Sequence, residues 1–276
     1  MINNLIKSAL NKISPNISRY YRNIKTRRLL YAAPHNSPDG LMFIGAQNYD
    51  CYEPNITKAL SEIIKDREIF INVGANHGIY CLKFSKYANT VYAFEALPDN
   101  LSVLYKNIKI NSLEHKIRVF PVAAGKEEYV ATFYGAATGG SLLQGWNNQI
   151  DKGIDIPVFS LDFLLFEKLK VGSSSLVLID VEGAEFDVVQ GAANIIENIK
   201  NVVFCIEIPC REFMPGETFN PNFARIFKYF NDLGYLAYEI NNLGELLALN
   251  MEAVSNYVKQ NRFEGIMAIF TKNPLH

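Results

Sequence analysis

Ten residues constrain this chain more than any others: Ile69-Phe-Ile-Asn-Val-Gly-Ala-Asn-His-Gly78. The apolar, β-branched half breaks abruptly into small residues and glycines, the pattern of a buried strand that ends in a tight turn. Ile79, Leu82 and Phe84 follow at helical spacing, so Gly74 and Gly78 bracket a strand-to-helix connection whose backbone can approach a ligand closely. A second strand, Thr90-Val-Tyr-Ala-Phe94, ends on Glu95, about 20 residues past Gly74, where nucleotide-binding α/β folds place the acidic residue that grips a ribose. The expectation is an α/β protein with a ribose-bearing cofactor at the carboxyl edge of a parallel sheet.

Spacing bears on which cofactor. A dinucleotide site calls for Gly-x-Gly-x-x-Gly, because three glycines permit the turn, the approach of a pyrophosphate and close helix packing. Here Ala75-Asn76-His77 separates Gly74 from Gly78, and the fingerprint is incomplete. S-adenosylmethionine has no phosphate. It needs an open turn for its amino-acid tail and an acceptor for its ribose hydroxyls, and the looser loop suits it better. Taken alone, the loop is also compatible with an ordinary glycine turn that serves another ligand.

Three blocks, Asn72-Val-Gly-Ala-Asn-His-Gly78, Ala93-Phe-Glu-Ala-Leu-Pro-Asp-Asn100 and Leu178-Ile-Asp-Val-Glu-Gly-Ala-Glu185 with Gly191-Ala192, occur in this order. Together they closely resemble the FkbM family of S-adenosylmethionine-dependent methyltransferases, over roughly residues 55 to 210. The resemblance implies a Rossmann-like class I methyltransferase fold: a mostly parallel seven-stranded sheet with an antiparallel final strand pair. It also implies S-adenosylmethionine as cofactor and a hydroxyl acceptor on a sugar, glycan or natural-product scaffold. Asn72, Gly74, Asn76, Gly78, Glu95 and Ala96 fall in its cofactor blocks, and Ala123, at the end of the strand Ile117–Val122, stands where such folds contact the adenine. One departure is Asn72, where the family usually carries aspartate; an amide orients the loop by hydrogen bonds but brings no charge to the cofactor's ammonium.

The chain's 276 residues suit one methyltransferase domain, residues 55–276, behind an extension and connector, residues 1–54. Its 49% apolar content supports a large core, and a net charge of −1 gives no reason to expect nucleic acid as partner. Cys51, Cys81, Cys205 and Cys210 show no paired metal-ligand spacing; Cys81 and Cys205 read as core thiols. With no apolar run near the ~20 residues of a membrane span and no secretory signal, the expected compartment is the cytoplasm. Residues 1–28 hold seven Lys or Arg and no acidic residue, with Ile2, Leu5, Ile6, Ala9, Leu10 and Ile13 at helical spacing. Such an arm either packs on its own domain or a second subunit, or lies on an anionic membrane surface.

Further along, Tyr49–Glu53 is a candidate cover for the cofactor, and Leu101, Leu104, Tyr105 and Ile108 mark the buried face of a helix begun at Pro98. Residues 126–160 read as a hairpin or lid insertion holding the only tryptophan, Trp146. The strand Leu176–Val181 ends in Asp180-Val-Glu182-Gly-Ala-Glu185, and alternation puts Asp180 and Glu182 on one side of an extended segment. Gly183 then turns the chain into one helix buried through Val188, Val189, Ala192, Ile195 and Ile196. Methyl transfer to a hydroxyl is a direct displacement that needs position, desolvation and a group to take the proton. Asp180 and Glu182 are the candidates for that group, with His77 a further one, while Glu185 reads as a complement to the helix dipole. Glu207, closing the next strand, is a candidate wall of the acceptor pocket. A divalent cation on Asp180, Glu182 and Glu207 would suit an all-oxygen set, but no spacing enforces it and no metal is assigned. Two other readings stand beside the methyltransferase: an NAD-dependent oxidoreductase, and a cofactor-binding protein without turnover.

Overall fold

Runs of β-branched and aromatic residues separated by amphipathic stretches build alternating strands and helices here. The computed structural model describes residues 35–36, 40–45, 48–135, 139–148, 153–169 and 172–275; the basic arm of residues 1–28 lies outside them. Five strands run parallel as neighbours: β3 (Ile69–Val73), β4 (Thr90–Phe94), β5 (Ile117–Phe120), β9 (Ser175–Ile179) and β10 (Val202–Ile208). Three more complete the sheet: β11 (Leu236–Ile240), β12 (Leu246–Leu249) and β13 (Ile266–Thr271), in the order β12-β11-β13-β10-β9-β3-β4-β5. Strand β13 is antiparallel to both β10 and β11, the antiparallel final pair that the sequence leads one to expect. Chain order runs outward in opposite directions from β3 and β9, so their carboxyl ends flank a crevice at the switch point.

Alternation along each strand divides the core. Val177 and Ile179 of β9 pack with α4 (Leu161–Leu169), α5 (Glu185–Gln190), α6 (Ala193–Asn198), α7 (Phe223–Asp232) and α8 (Met251–Lys259). Leu176 and Leu178 face α1 (Pro54–Ile64), α2 (Ile79–Phe84) and α3 (Pro98–Ile110). Both sheet faces are therefore covered, which is why the central strands are continuously apolar. A second, three-stranded sheet is made by β6 (Ala123–Ala124), β7 (Tyr129–Phe133) and β8 (Ile154–Phe159), with β7 and β8 antiparallel. Ahead of α1, β1 (His35–Asn36) pairs with β2 (Met42–Phe43). That connector is tied down by amides of α3: fully buried Asn107 bonds Ile44 N at 2.7 Å, Ile44 O at 2.7 Å and His77 O at 2.8 Å, and Asn111 bonds Met42 N and O.

Four expectations are corrected. The main sheet has eight strands rather than seven, because Leu246–Leu249 adds the short edge strand β12. Tyr105 is 42% exposed; Asn107 takes the buried place on that helix, where its amide serves the connector. The strand expected over Ile117–Val122 stops at Phe120, and the chain passes to β6 in the smaller sheet. The helix after Gly183 is two helices, broken at Gly191 and Ala192; Gly191 lies against the chain at Gly125, where a Cβ would be 2.0 Å from the Gly125 carbonyl oxygen.

Candidate active site

A cleft of about 310 Å³ opens over the switch point, and one half is built by the turn after β3. Gly74 and Gly78 both adopt positive φ, +89° and +92°. A Cβ at Gly74 would sit 1.8 Å from the carbonyl oxygen of Asp180, so the β3 and β9 ends meet at a position that admits only glycine. Glu95 follows β4 and is 7% exposed; one carboxylate oxygen accepts from Asn76 N at 2.7 Å and the other from Leu97 N at 2.7 Å. Burial pushes its pKa up to about 7 against those bonds. Oε1 accepts from Asn100 Nδ2 as well, at 3.5 Å; a carboxylate has about four acceptor sites, so the group is not saturated by these bonds. Nearby, the Oδ1 atoms of Asn72 and Asn76 are buried without a hydrogen-bond partner, although Asn72 Nδ2 reaches Cys81 Sγ at 3.5 Å. Two orphaned acceptors in a glycine-lined turn fit a ligand that brings its own donors.

The other half of the cleft is acidic. Asp180 and Glu207, at the carboxyl ends of the neighbouring strands β9 and β10, share a hydrogen bond, and burial followed by Glu207 and Glu182 raises the Asp180 pKa well above the carboxylate range. Glu182 is held at about 7 by burial and by Glu207, opposed by the Trp146 Nε1–H donated to it at 3.0 Å. Glu53, at the start of α1, accepts from the Tyr80 hydroxyl; burial first, then Glu207, raises its pKa. Tyr52 beside it is raised too, by burial and then by Glu53, Asp180 and Glu207. Backbone turns set this arrangement: Glu182 and Gly183 both have positive φ, +58° and +101°. The Trp146 ring covers Gly183 so closely that a Cβ there would lie 2.8 Å from it. Ser141 Oγ donates to the Glu182 carbonyl, and Glu185 Oε1 accepts from Gly183 N at 2.8 Å. No three His, Cys, Asp or Glu side chains among the described residues are disposed to hold a metal ion.

A glycine turn with orphaned acceptors, facing strand-end carboxylates across one crevice, is the setting in which the sequence comparison gains meaning. The family model described as "Methyltransferase FkbM domain" matches residues 72–237, more than half of the chain. The chain belongs to the FkbM methyltransferase family. No curated protein matches the sequence. Among solved structures, an FkbM methyltransferase from Methylobacillus flagellatus KT is 12% identical, with 92% of this chain and 58% of that one covered and a TM-score of 0.48. This FkbM chain thus spans 58% of that protein's length. Cofactor-bound Rv0187 from MTB is 11% identical over 99% of this chain and 97% of its own, with a TM-score of 0.46. An rRNA methylase from Streptococcus thermophilus is 9% identical over 79% and 94%, at a TM-score of 0.42. At such scores the likenesses say nothing of substrate.

Of the FkbM cofactor set read from sequence, Asn72, Gly74, Asn76, Glu95, Ala96 and Ala123 line the cleft. Gly78 does not; it begins α2, and a Cβ there would meet Leu104 at 2.5 Å, so it serves the turn rather than the cleft. Asp180, Glu182 and Glu207 come together as carboxylates of the acceptor half. Asp180 and Glu182 do so by a turn and not by strand alternation, because the strand ends at Ile179 and Glu182 is left-handed. His77 also lines the cleft, yet its ring lies near Gly45, whose Cβ would be 3.0 Å from Nδ1. Burial lowers its pKa and Asn100 bonds it. Glu185 sits in the first turn of α5 but is 2% exposed, with burial pushing its pKa to about 8. Sequence reading missed Tyr80, Asn100 and Phe213 as cleft residues. Tyr80 looked like one more apolar helix position, while of the segment Tyr49–Glu53, read as a cover for the cofactor, Tyr52 and Glu53 line the cleft.

Proposed function

We propose that this FkbM protein is an O-methyltransferase acting on a hydroxyl of a sugar, glycan or natural-product acceptor. The observation that carries the reading is the hydrogen-bonded Asp180 and Glu207 pair, at adjacent strand ends opposite the glycine turn. Hydroxyl hydrogens seek carboxylate acceptors, and the apolar faces of Trp146 and Phe213, ring centres 5.9 Å apart, suit the C–H faces of a sugar ring. S-adenosylmethionine, when bound, supplies a methyl carbon activated for displacement. Asn72 and Asn76 offer their unpartnered Oδ1 atoms to its ammonium, and Glu95 takes the ribose hydroxyls. Gly74, with Gly78 at the helix start, keeps the turn open, while Ala96 and Ala123 leave a flat surface for the base. Asp180 and Glu207 orient the acceptor hydroxyl. With S-adenosylmethionine bound as the methyl source, this pair would take the hydroxyl proton and return it to solvent. Burial and mutual repulsion make Asp180 a stronger base than an ordinary carboxylate, which suits the task.

Calorimetric titration with S-adenosylmethionine, S-adenosylhomocysteine and NAD, followed by turnover on a panel of hydroxylated sugars, tests the reading. Binding of the first two and not NAD is expected. Asp180→Asn should then lower kcat about 100-fold and leave the cofactor Kd within about threefold, since the side chain acts on the proton and not on the cofactor. NAD binding alone would restore the oxidoreductase reading, against which the family match counts. An unchanged kcat in the variant would remove Asp180 from the chemistry, and cofactor binding with no methylation of any hydroxyl would favour a binding protein.

A further inference from the structure

Resting on the methyl-transfer reading above, we propose that the acceptor half of the cleft takes a hydroxyl compound that also carries an ammonium group, and that Glu53 selects it. The cleft is rich in acceptors and poor in donors. Glu53, Asp180, Glu182 and Glu207 line its acceptor half, while no Lys or Arg among the described residues lines it anywhere. Lys83 acts on Glu53 electrostatically, but it lies over the Tyr49 ring, 5.0 Å from the centroid, and is not a cleft residue. An ammonium brings three N–H donors and a positive charge to this surface, which fits both deficits; a phosphate or carboxylate on the acceptor would be repelled.

The four carboxylates are not equivalent. Asp180 and Glu207 bond each other, and Glu182 is tied to the Trp146 indole. Glu53 is held by phenols, Tyr80 and Tyr52, which are neutral donors, so no cation lining the cleft is bonded to it. Its backbone is pinned as well, with Thr57 N donating to its carbonyl at 2.8 Å and Pro54 opening the helix. Glu53 also lies upstream of residues 72–237, the span shared with the family model, so the selecting group comes from chain outside the common methyl-transfer unit.

Calorimetry on the full chain loaded with S-adenosylhomocysteine tests this with three probes: D-glucosamine, D-glucose and N-acetyl-D-glucosamine. Glucosamine should bind at least about tenfold more tightly than the other two, as a charge-assisted hydrogen bond requires, and the preference should shrink as salt is raised. Glu53→Gln should reduce the preference to about threefold or less with S-adenosylhomocysteine affinity unchanged, which also reports that the variant is folded; Glu53→Asp should restore part of it. Equal affinity for the three probes, or no glucosamine binding to the loaded protein, overturns the proposal. A preference that survives in Glu53→Gln overturns the role of Glu53. Failure of S-adenosylhomocysteine itself to bind strikes the methyl-transfer reading instead, so the two failures are distinguishable.

Discussion

Glu185 shows what burial does to a single carboxyl group. Its ordinary pKa of 4.5 rises to about 8, because 2% exposure outweighs the bond from Gly183 N. A raised folded-state value means that the native protein holds this proton more tightly than the unfolded chain. The contribution to stability is complete below about pH 4.5 and is lost as pH rises through about 8. Glu185→Gln keeps an oxygen for Gly183 and cannot ionise. Between pH 5 and pH 8.5 its advantage over the parent should grow by on the order of 2 kcal/mol, or about 5 °C in Tm. Thermal melts of both proteins at the two pH values check this, and parallel pH profiles would refute it. Individual residues were legible where chain position alone sets their surroundings. Glu95 and Asp180 each follow a strand of the parallel sheet, and a strand end of that kind opens on the crevice. Glu53 was legible only as part of a segment near the cofactor; its place among the carboxylates was not, since that depends on Tyr80 and Glu207, which are 27 and more residues away in sequence and close only after folding.

At the scale of elements, the turn from β9 into α5 and the segment between β7 and β8 form one packed unit through Trp146 and Gly183. Gly183→Ala meets two obstacles, a φ of +101° and the Trp146 ring 2.8 Å from the new Cβ. A loss of about 2–3 kcal/mol is expected from backbone strain and displacement of the ring, measurable as a lower midpoint in urea with unchanged slope. A variant as stable as the parent would mean that Trp146 does not hold this turn. Helices and strands with clear periodicity were readable: α1 from Ile56, Leu60, Ile63 and Ile64, α7 from Phe223, Ile226, Phe227 and Phe230. What escaped was set by distant partners. The break between α5 and α6 lies where Gly191 packs against the distant Gly125 carbonyl oxygen, and β12 is a four-residue edge strand defined by its pairing with β11.

For the molecule as a whole, a mostly parallel sheet with a last antiparallel pair was legible from the alternation of strands and helices and the family resemblance; the shape of the acidic half of the cleft was not, because it is assembled from separate stretches of chain. Its collected charge gives a prediction that no single residue carries. A cation entering a cleft whose carboxylates hold raised pKa values favours their ionised forms, so binding should expel protons. S-adenosylmethionine carries one more positive charge than S-adenosylhomocysteine and should release a few tenths of a proton more near pH 7. Titrations in buffers of differing ionisation enthalpy measure this, and equal release by the two ligands would disprove it. The meeting of β3 and β9 at Gly74 has a last consequence. The obstacle to a side chain there is the Asp180 carbonyl oxygen, 1.8 Å from the would-be Cβ. A main-chain atom cannot be mutated away, so no second substitution can suppress a Gly74 variant by trimming a neighbour. Any suppressor would have to shift the main chain at Asp180 itself, and with it the end of β9 that carries this carboxylate into the cleft.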